Sequence, residues 1–293
     1  MPLHTKRPFT YPLWIYLSCS LLFLVVLSLA QLAIPTLSEN SGWPYFLAVI
    51  VILFTLYLAS SRNLLNQLKT TFEVQRPSKK MLLYMISCLF LCQTLFSFSD
   101  GLVEGLLNFI GHSATEQIEA ASGSSTTWSM FFYTICLAPL CEELLFRGFL
   151  YQSFLKCGKN FAIFFSALLF GLYHANIVQT PFAFVLGIVL GYITAIYGLK
   201  YAIFLHIFNN LVLGEIFDLC LQHFPQISGP LLEITHFSFV LIALYFLYHY
   251  RTKIKYFYQR APFSKKVWRQ ATFNLPFCLI LVTTFGLMFL TLN

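Results

Sequence analysis

The sequence predicts an all-α fold: a polytopic membrane helix bundle of about nine transmembrane helices with its amino terminus cytoplasmic. Three observations predict it. Of the 293 residues, 58% are apolar and 10% charged, with a mean hydropathy of +0.73, whereas a soluble domain carries about a quarter charged residues. Several stretches reach the ~20 mostly apolar residues needed to cross a hydrocarbon core of ~30 Å. The basic residues gather on one side of the topology those stretches define. The same composition excludes disorder, collagen and coiled coil.

The expected spans cover residues 12–34, 43–60, 81–99, 128–151, 161–176, 181–198, 201–219, 231–250 and 273–292. The first follows Lys6 and Arg7, and Ser28-Leu29-Ala30 resembles a cleavage site. Its apolar run is longer than the about 7 to 15 residues of a signal sequence, so it reads as an uncleaved anchor. Asn176, Gln179 and Pro181 separate the short fifth span from the sixth.

Charge position decides orientation. Lys6 and Arg7 precede the first span; Arg62, Lys69, Arg76, Lys79 and Lys80 follow the second; Arg147, Lys156 and Lys159 surround the end of the fourth. Lys200 follows the sixth, and Arg251, Lys253, Lys255, Arg260, Lys265, Lys266 and Arg269 follow the eighth. All 18 basic residues then share one side, which the positive-inside rule makes cytoplasmic. Glu39, Asp100, Glu104, Glu116 and Glu119 fall on the other. The net charge of +7 therefore reads as topology at an anionic leaflet, with no nucleic-acid partner. One membrane-embedded domain over residues 1–293 is expected, with its motif-bearing core at about 128–219.

Smaller features complete the pass. Ser113-Ala-Thr-Glu116 has capping-box spacing for a short surface helix. Gly187-Ile-Val-Leu-Gly191 matches the small-xxx-small pattern of closely packed membrane helices. Most of the eight cysteines lie inside spans without CxxC or CxxH spacing, so they read as small apolar residues without a redox or metal role.

The fourth span departs from a bland bundle. It contains Cys141-Glu-Glu-Leu-Leu-Phe-Arg147, and each charge at the centre of a span costs about 2.5 to 3.5 kcal/mol. Glu143 and Arg147 are four apart and can pair, which leaves Glu142, turned about 100° away, without a local partner. One acid would suffice for a structural pair. The fifth span carries Phe170 and His174 at i,i+4, and the seventh His206 and Asn210 likewise. At about 1.5 Å per residue, Glu142 and His174 both lie roughly 20 Å from the cytoplasmic end, but His206, six residues after Lys200, lies at roughly 9 Å. Levelling it requires a submerged turn at residues 198–200, a tilted helix or a snorkelling Lys200. Asn209 reads as packing or a hydrogen bond to a neighbouring helix, and Glu215 and Asp218 as wetted interface acids.

EExxxR, FxxxH and HxxxN in that order, over residues 130–215, resemble the CPBP or ABI group of intramembrane proteases, whose eukaryotic members are the type II CAAX prenyl endopeptidases. The resemblance implies that Glu142, assisted by His174, activates water, and that His206 and Asn210 bind the oxyanion. Glu143 and Arg147 would hold the fourth helix in shape, with Phe170 packing beside His174. The family core is usually described with eight spans, one fewer than expected here.

The chemistry is coherent without the family. Peptide hydrolysis needs a base poised near neutral pH, which burial of a carboxylate favours, and donors aimed at the developing oxyanion. The leading expectation is a cofactor-free intramembrane endopeptidase acting on a membrane-bound or lipidated peptide in a cell membrane, of bacterial type since no Asn-x-Ser/Thr sequon is present. One alternative has zinc bound by Glu142, His174 and His206 with Glu143 as base; no HExxH helix is present. The others are a proton-coupled transporter with Glu142, Glu143 and His174 as relay, against which stands the absence of an inverted repeat, and a non-catalytic immunity or scaffolding protein.

Overall fold

A computed structural model describes residues 9–34, 41–122, 125, 127–259 and 264–292; Lys6, Arg7, Glu39 and Arg260 of the charge pattern lie outside them. Among the described residues all regular structure is helical, as expected where lipid offers backbone groups no hydrogen bonds. Helices α1 (Thr10–Ala33) and α2 (Trp43–Ala59) pack together. The chain then bends by 115° into α3 (Arg62–Phe72), where the Ser61 hydroxyl accepts from the Leu64 amide and so meets an orphan donor of the first turn. Helix α4 (Lys79–Phe109) is capped the same way by Ser78.

The short α5 (Thr115–Ser122) appears where the capping-box spacing places it, but its start is built differently. Glu104 of α4 reaches over to accept from the Ala114 amide and the Ser113 hydroxyl, and Ser113 Oγ accepts from the Thr115 amide. Helix α6 runs over Trp128–Cys157 and is widened by five-residue turns at Tyr133–Leu137 and Leu144–Leu150. Gly158, at φ +114°, reverses the chain into α7 (Lys159–Tyr173). Then come α8 (Gln179–Ile196), α9 (Leu199–His223, widened at Asn209–Ile216) and α10 (Pro225–Gln259). The amphipathic α11 (Lys265–Thr272) meets α12 (Leu275–Leu290) at 64°.

Among the described residues six helices are long and apolar enough to cross a membrane: α1, α4, α6, α8, α9 and α10. Up to eight crossings result if the bent pairs α2–α3 and α11–α12 each count as one. This is a multi-pass membrane protein. Each of the nine expected spans holds a helix, but the fifth, α7, is a 15-residue segment, shorter than the ~20 residues of a full crossing. It does not face lipid along its length; Phe161, Ala162, Ile163, Phe165, Ala167 and Leu169 are all at or near zero exposure.

The core is built around α7. Phe165 meets the rings of Phe154, Phe161 and Phe277 at 5.2, 5.2 and 5.7 Å, and the Tyr16 hydroxyl of α1 donates to the Leu169 carbonyl at 3.2 Å. The two glycines of α8 permit its close approach: a Cβ at Gly187 would lie 3.0 Å from Ala167 Cβ and 3.1 Å from Phe170, and one at Gly191 3.0 Å from Ile163.

The turn between α8 and α9 is covered by the segment that follows α3. Val74 and Gln75 donate their amides to the Tyr197 carbonyl at 3.0 and 3.4 Å. Gly198, at φ +113°, lies so close below residues 72–74 that a Cβ would come within 2.6 Å of the Phe72 carbonyl oxygen. Lys200 finds its counter-charge in Glu73 of this cover.

Candidate functional site

The site grows from the stretch of α6 between its two wide turns. Residues 138–143 form ordinary α-helix, with Leu144–Leu150 widened immediately after. Wide turns re-aim side chains relative to a regular helix and concentrate at functional sites. Glu143 turns fully inward, where its Oε1 accepts from Arg147 Nη1 at 2.7 Å, both side chains having zero exposure. Arg147 Nη2 donates to the Gly187 carbonyl of α8 at 3.1 Å, and its guanidinium stands 4.5 Å from the centre of the Phe170 ring. A buried charge persists only when paired and hydrogen-bonded; here three helices supply the partners.

His206 of α9 completes the cluster. Its Nδ1 is 3.0 Å from Glu143 Oε1, and its Nε2 is 3.7 Å from Glu142 Oε2. Glu142 keeps 14% of its side chain exposed while Glu143 keeps none, so the two adjacent acids occupy different surroundings. Phe170 links the histidines: its ring lies edge-on to His174 at 5.1 Å and to His206 at 5.7 Å. His174 ends α7 half-buried, against Phe170 and Tyr173, and its ring has no hydrogen-bond partner among the described residues. No hydrogen bond joins it to Glu142.

Asn210 lies just inside the wide turn Asn209–Ile216. Its Nδ2 donates to the Thr134 carbonyl of α6 at 3.0 Å, and its Oδ1 accepts from Asn209 Nδ2 at 3.1 Å. Asn209 is held in turn by Gln93 of α4 at 3.2 Å, the neighbouring-helix bond expected of it. Glu215 is a correction: it is not a wetted interface acid but 4% exposed, and it accepts from the backbone and hydroxyl of Ser125. Because the wide turn adds a residue, its rotation differs from that of a regular helix, and no spacing in the sequence signals this. Gln93 and Thr134 also escape motif reasoning, since a lone amide and a backbone carbonyl carry no pattern.

Among the described residues no group of three His, Cys, Asp or Glu side chains is arranged to hold a metal ion. The model of the type II CAAX prenyl endopeptidase Rce1-like family matches residues 124–212. The Rce1-like segment contains Glu142, Glu143, Arg147, Phe170, His174, His206 and Asn210, the residues that carry the three motifs. The chain is also similar to UPF0177 protein YbdI of Lactococcus lactis subsp. lactis (strain IL1403), 28% identical over 145 residues that cover 48% of this chain and 75% of that protein. No solved structure matches the chain at a significant level.

Proposed function

We propose that this protein is an intramembrane endopeptidase of the CPBP type that hydrolyses a peptide bond in a membrane-bound or lipidated substrate within a bacterial cell membrane, its basic connections facing the cytoplasm. The observation that carries this reading is the division of labour between adjacent acids. Glu143 is committed on one oxygen to both Arg147 and His206, whereas Glu142 retains exposure and faces His206 Nε2. The Rce1-like match supports the same reaction class.

In this reading Glu142, aided by His174, takes a proton from water, and the hydroxide adds to the carbonyl carbon. Asn210 Nδ2 carries two hydrogens, of which Thr134 engages one, so the second is available to the oxyanion. His206, oriented by Glu143, provides the other contact, and donors fixed in a water-poor site stabilise such charge strongly. The proton on Glu142 then passes to the amine nitrogen as the C–N bond breaks. Zinc held by Glu142, His174 and His206 is the competing form of the same hydrolase.

The deciding experiment compares peptides released in membranes by wild type, Glu142→Ala and His174→Ala. Loss of release in both variants, with the proteins still inserted and folded, supports the reading; unchanged release in both removes it. Activity in excess chelator separates the metal-free from the zinc form.

A further inference from the structure

His174 has no side-chain hydrogen bond to aim it, so its position rests on the backbone at the end of α7. That backbone is held from outside the Rce1-like segment. Helix α7 ends in two tight turns, His174 N to Gly171 O at 3.3 Å and Ala175 N to Leu172 O at 3.2 Å, and Ala175 then adopts φ +45°. A residue other than glycine is uncommon there, and such a conformation persists only where its surroundings over-determine it.

Gln117 of α5 supplies that constraint. Its side chain is 3% exposed and fully used. Oε1 accepts from the Ile177 amide at 2.7 Å, while Nε2 donates to the Met288 carbonyl at 2.9 Å and to Thr291 Oγ1 at 2.8 Å at the end of α12. The backbone carbonyl of Gln117 accepts from Asn176 Nδ2 at 2.8 Å, and Asn176 Oδ1 caps α8 by accepting from the Val178 and Gln179 amides. Around these bonds Leu107, Ala114 and Val178 form a separate small apolar core. One glutamine thus ties the turn after His174 to two elements that lie outside the motif helices.

We propose that Gln117 is a positioning residue for His174: it fixes the Ala175–Val178 turn and, through it, the place of the imidazole. This rests on the endopeptidase reading for its consequence on rate, but not for its consequence on structure. Gln117→Met keeps the volume and removes all three side-chain bonds. Gln117→Glu keeps the acceptor for Ile177 and loses the amide donor, so it decides the matter should the methionine variant fail to fold.

Two measurements are made on the whole chain in proteoliposomes: amide exchange over residues 171–180 and 285–292, and turnover of a peptide that wild type releases, with Glu142→Ala run alongside. Faster exchange confined to residues 174–179 and 288–292, with kcat lowered about tenfold or more and KM changed less than twofold, supports the proposal, the glutamate variant lying between. Unchanged exchange at 174–179 overturns it, as does full kcat in a variant whose turn has loosened. Full turnover by Glu142→Ala would instead remove the endopeptidase reading and leave the exchange result standing on its own.

Discussion

Replacing Arg147 by methionine tests whether the buried cluster is an ionic knot or merely a polar one. The guanidinium gives one hydrogen bond to Glu143 at 2.7 Å, a second to the Gly187 carbonyl at 3.1 Å, and a face to Phe170. Both members of the ion pair are fully buried, so the substitution strands a carboxylate, and removing one partner of a buried pair costs about 3 to 5 kcal/mol. The carbonyl of Gly187 adds little, because single polar contacts inside membranes average only about 0.6 kcal/mol. The stranded charge therefore dominates. Neutralising it as well should restore stability: Glu143→Gln with Arg147→Met should exceed Arg147→Met alone by about 1 to 3 kcal/mol, since a glutamine carbonyl still accepts from His206. Thermal unfolding in one fixed detergent, followed by a fluorescent thiol reagent that reaches buried Cys19, Cys92 and Cys141 only on unfolding, reads all three proteins. A loss below about 1 kcal/mol in the single variant, or a double variant no better than the single, would refute the ionic account.

Further outcomes follow from the covered turn. Gly198→Ala places a Cβ against backbone atoms of residues 72–74 and forces alanine to φ +113°; a loss of about 2 to 4 kcal/mol is expected in the same assay, with faster proteolytic nicking near residues 72–76. Stability within about 0.5 kcal/mol of wild type would contradict the close approach. Glu73, bonded by Lys200 and next to Arg76, has its carboxyl held below the usual glutamate range. Its link to Lys200 is then complete above that range and lost as pH falls through the lowered value. Protease sensitivity of the linker should rise on acidification in wild type and be high and flat with pH in Glu73→Gln; identical profiles would refute the coupling.

Hydropathy made the helices legible, because each expected span is a long apolar run, and a run of that kind in lipid or in a buried core satisfies its backbone groups by forming a helix. The ion pair was legible for the same local reason: Glu143 and Arg147 sit four apart on one helix. The sharp bends after Ala59 and Thr272 were not, although Leu64, Leu65 and Leu68 among polar residues, and Val267 and Trp268 beside Lys265, Lys266 and Arg269, are amphipathic patterns that mark helices lying along an interface. The cover over Gly198 could not be read at all, since it is a contact between residues over 120 positions apart. Gln117 was invisible for a similar reason: a single glutamine in a short surface helix gains meaning only when α12 and the turn after His174 arrive beside it.

The widened turns of α6 and α9 bear on how such a chain tolerates change in length. A five-residue turn houses one residue more than a regular turn, so each behaves as an insertion absorbed on the spot. Losing one residue between Leu144 and Phe146 would tighten the winding and let the two ends of α6 keep their own contacts, while taking Arg147 out of its four-residue register with Glu143. Helix length and site geometry are in this way uncoupled: the membrane constrains the first, and the extra residue sets the second.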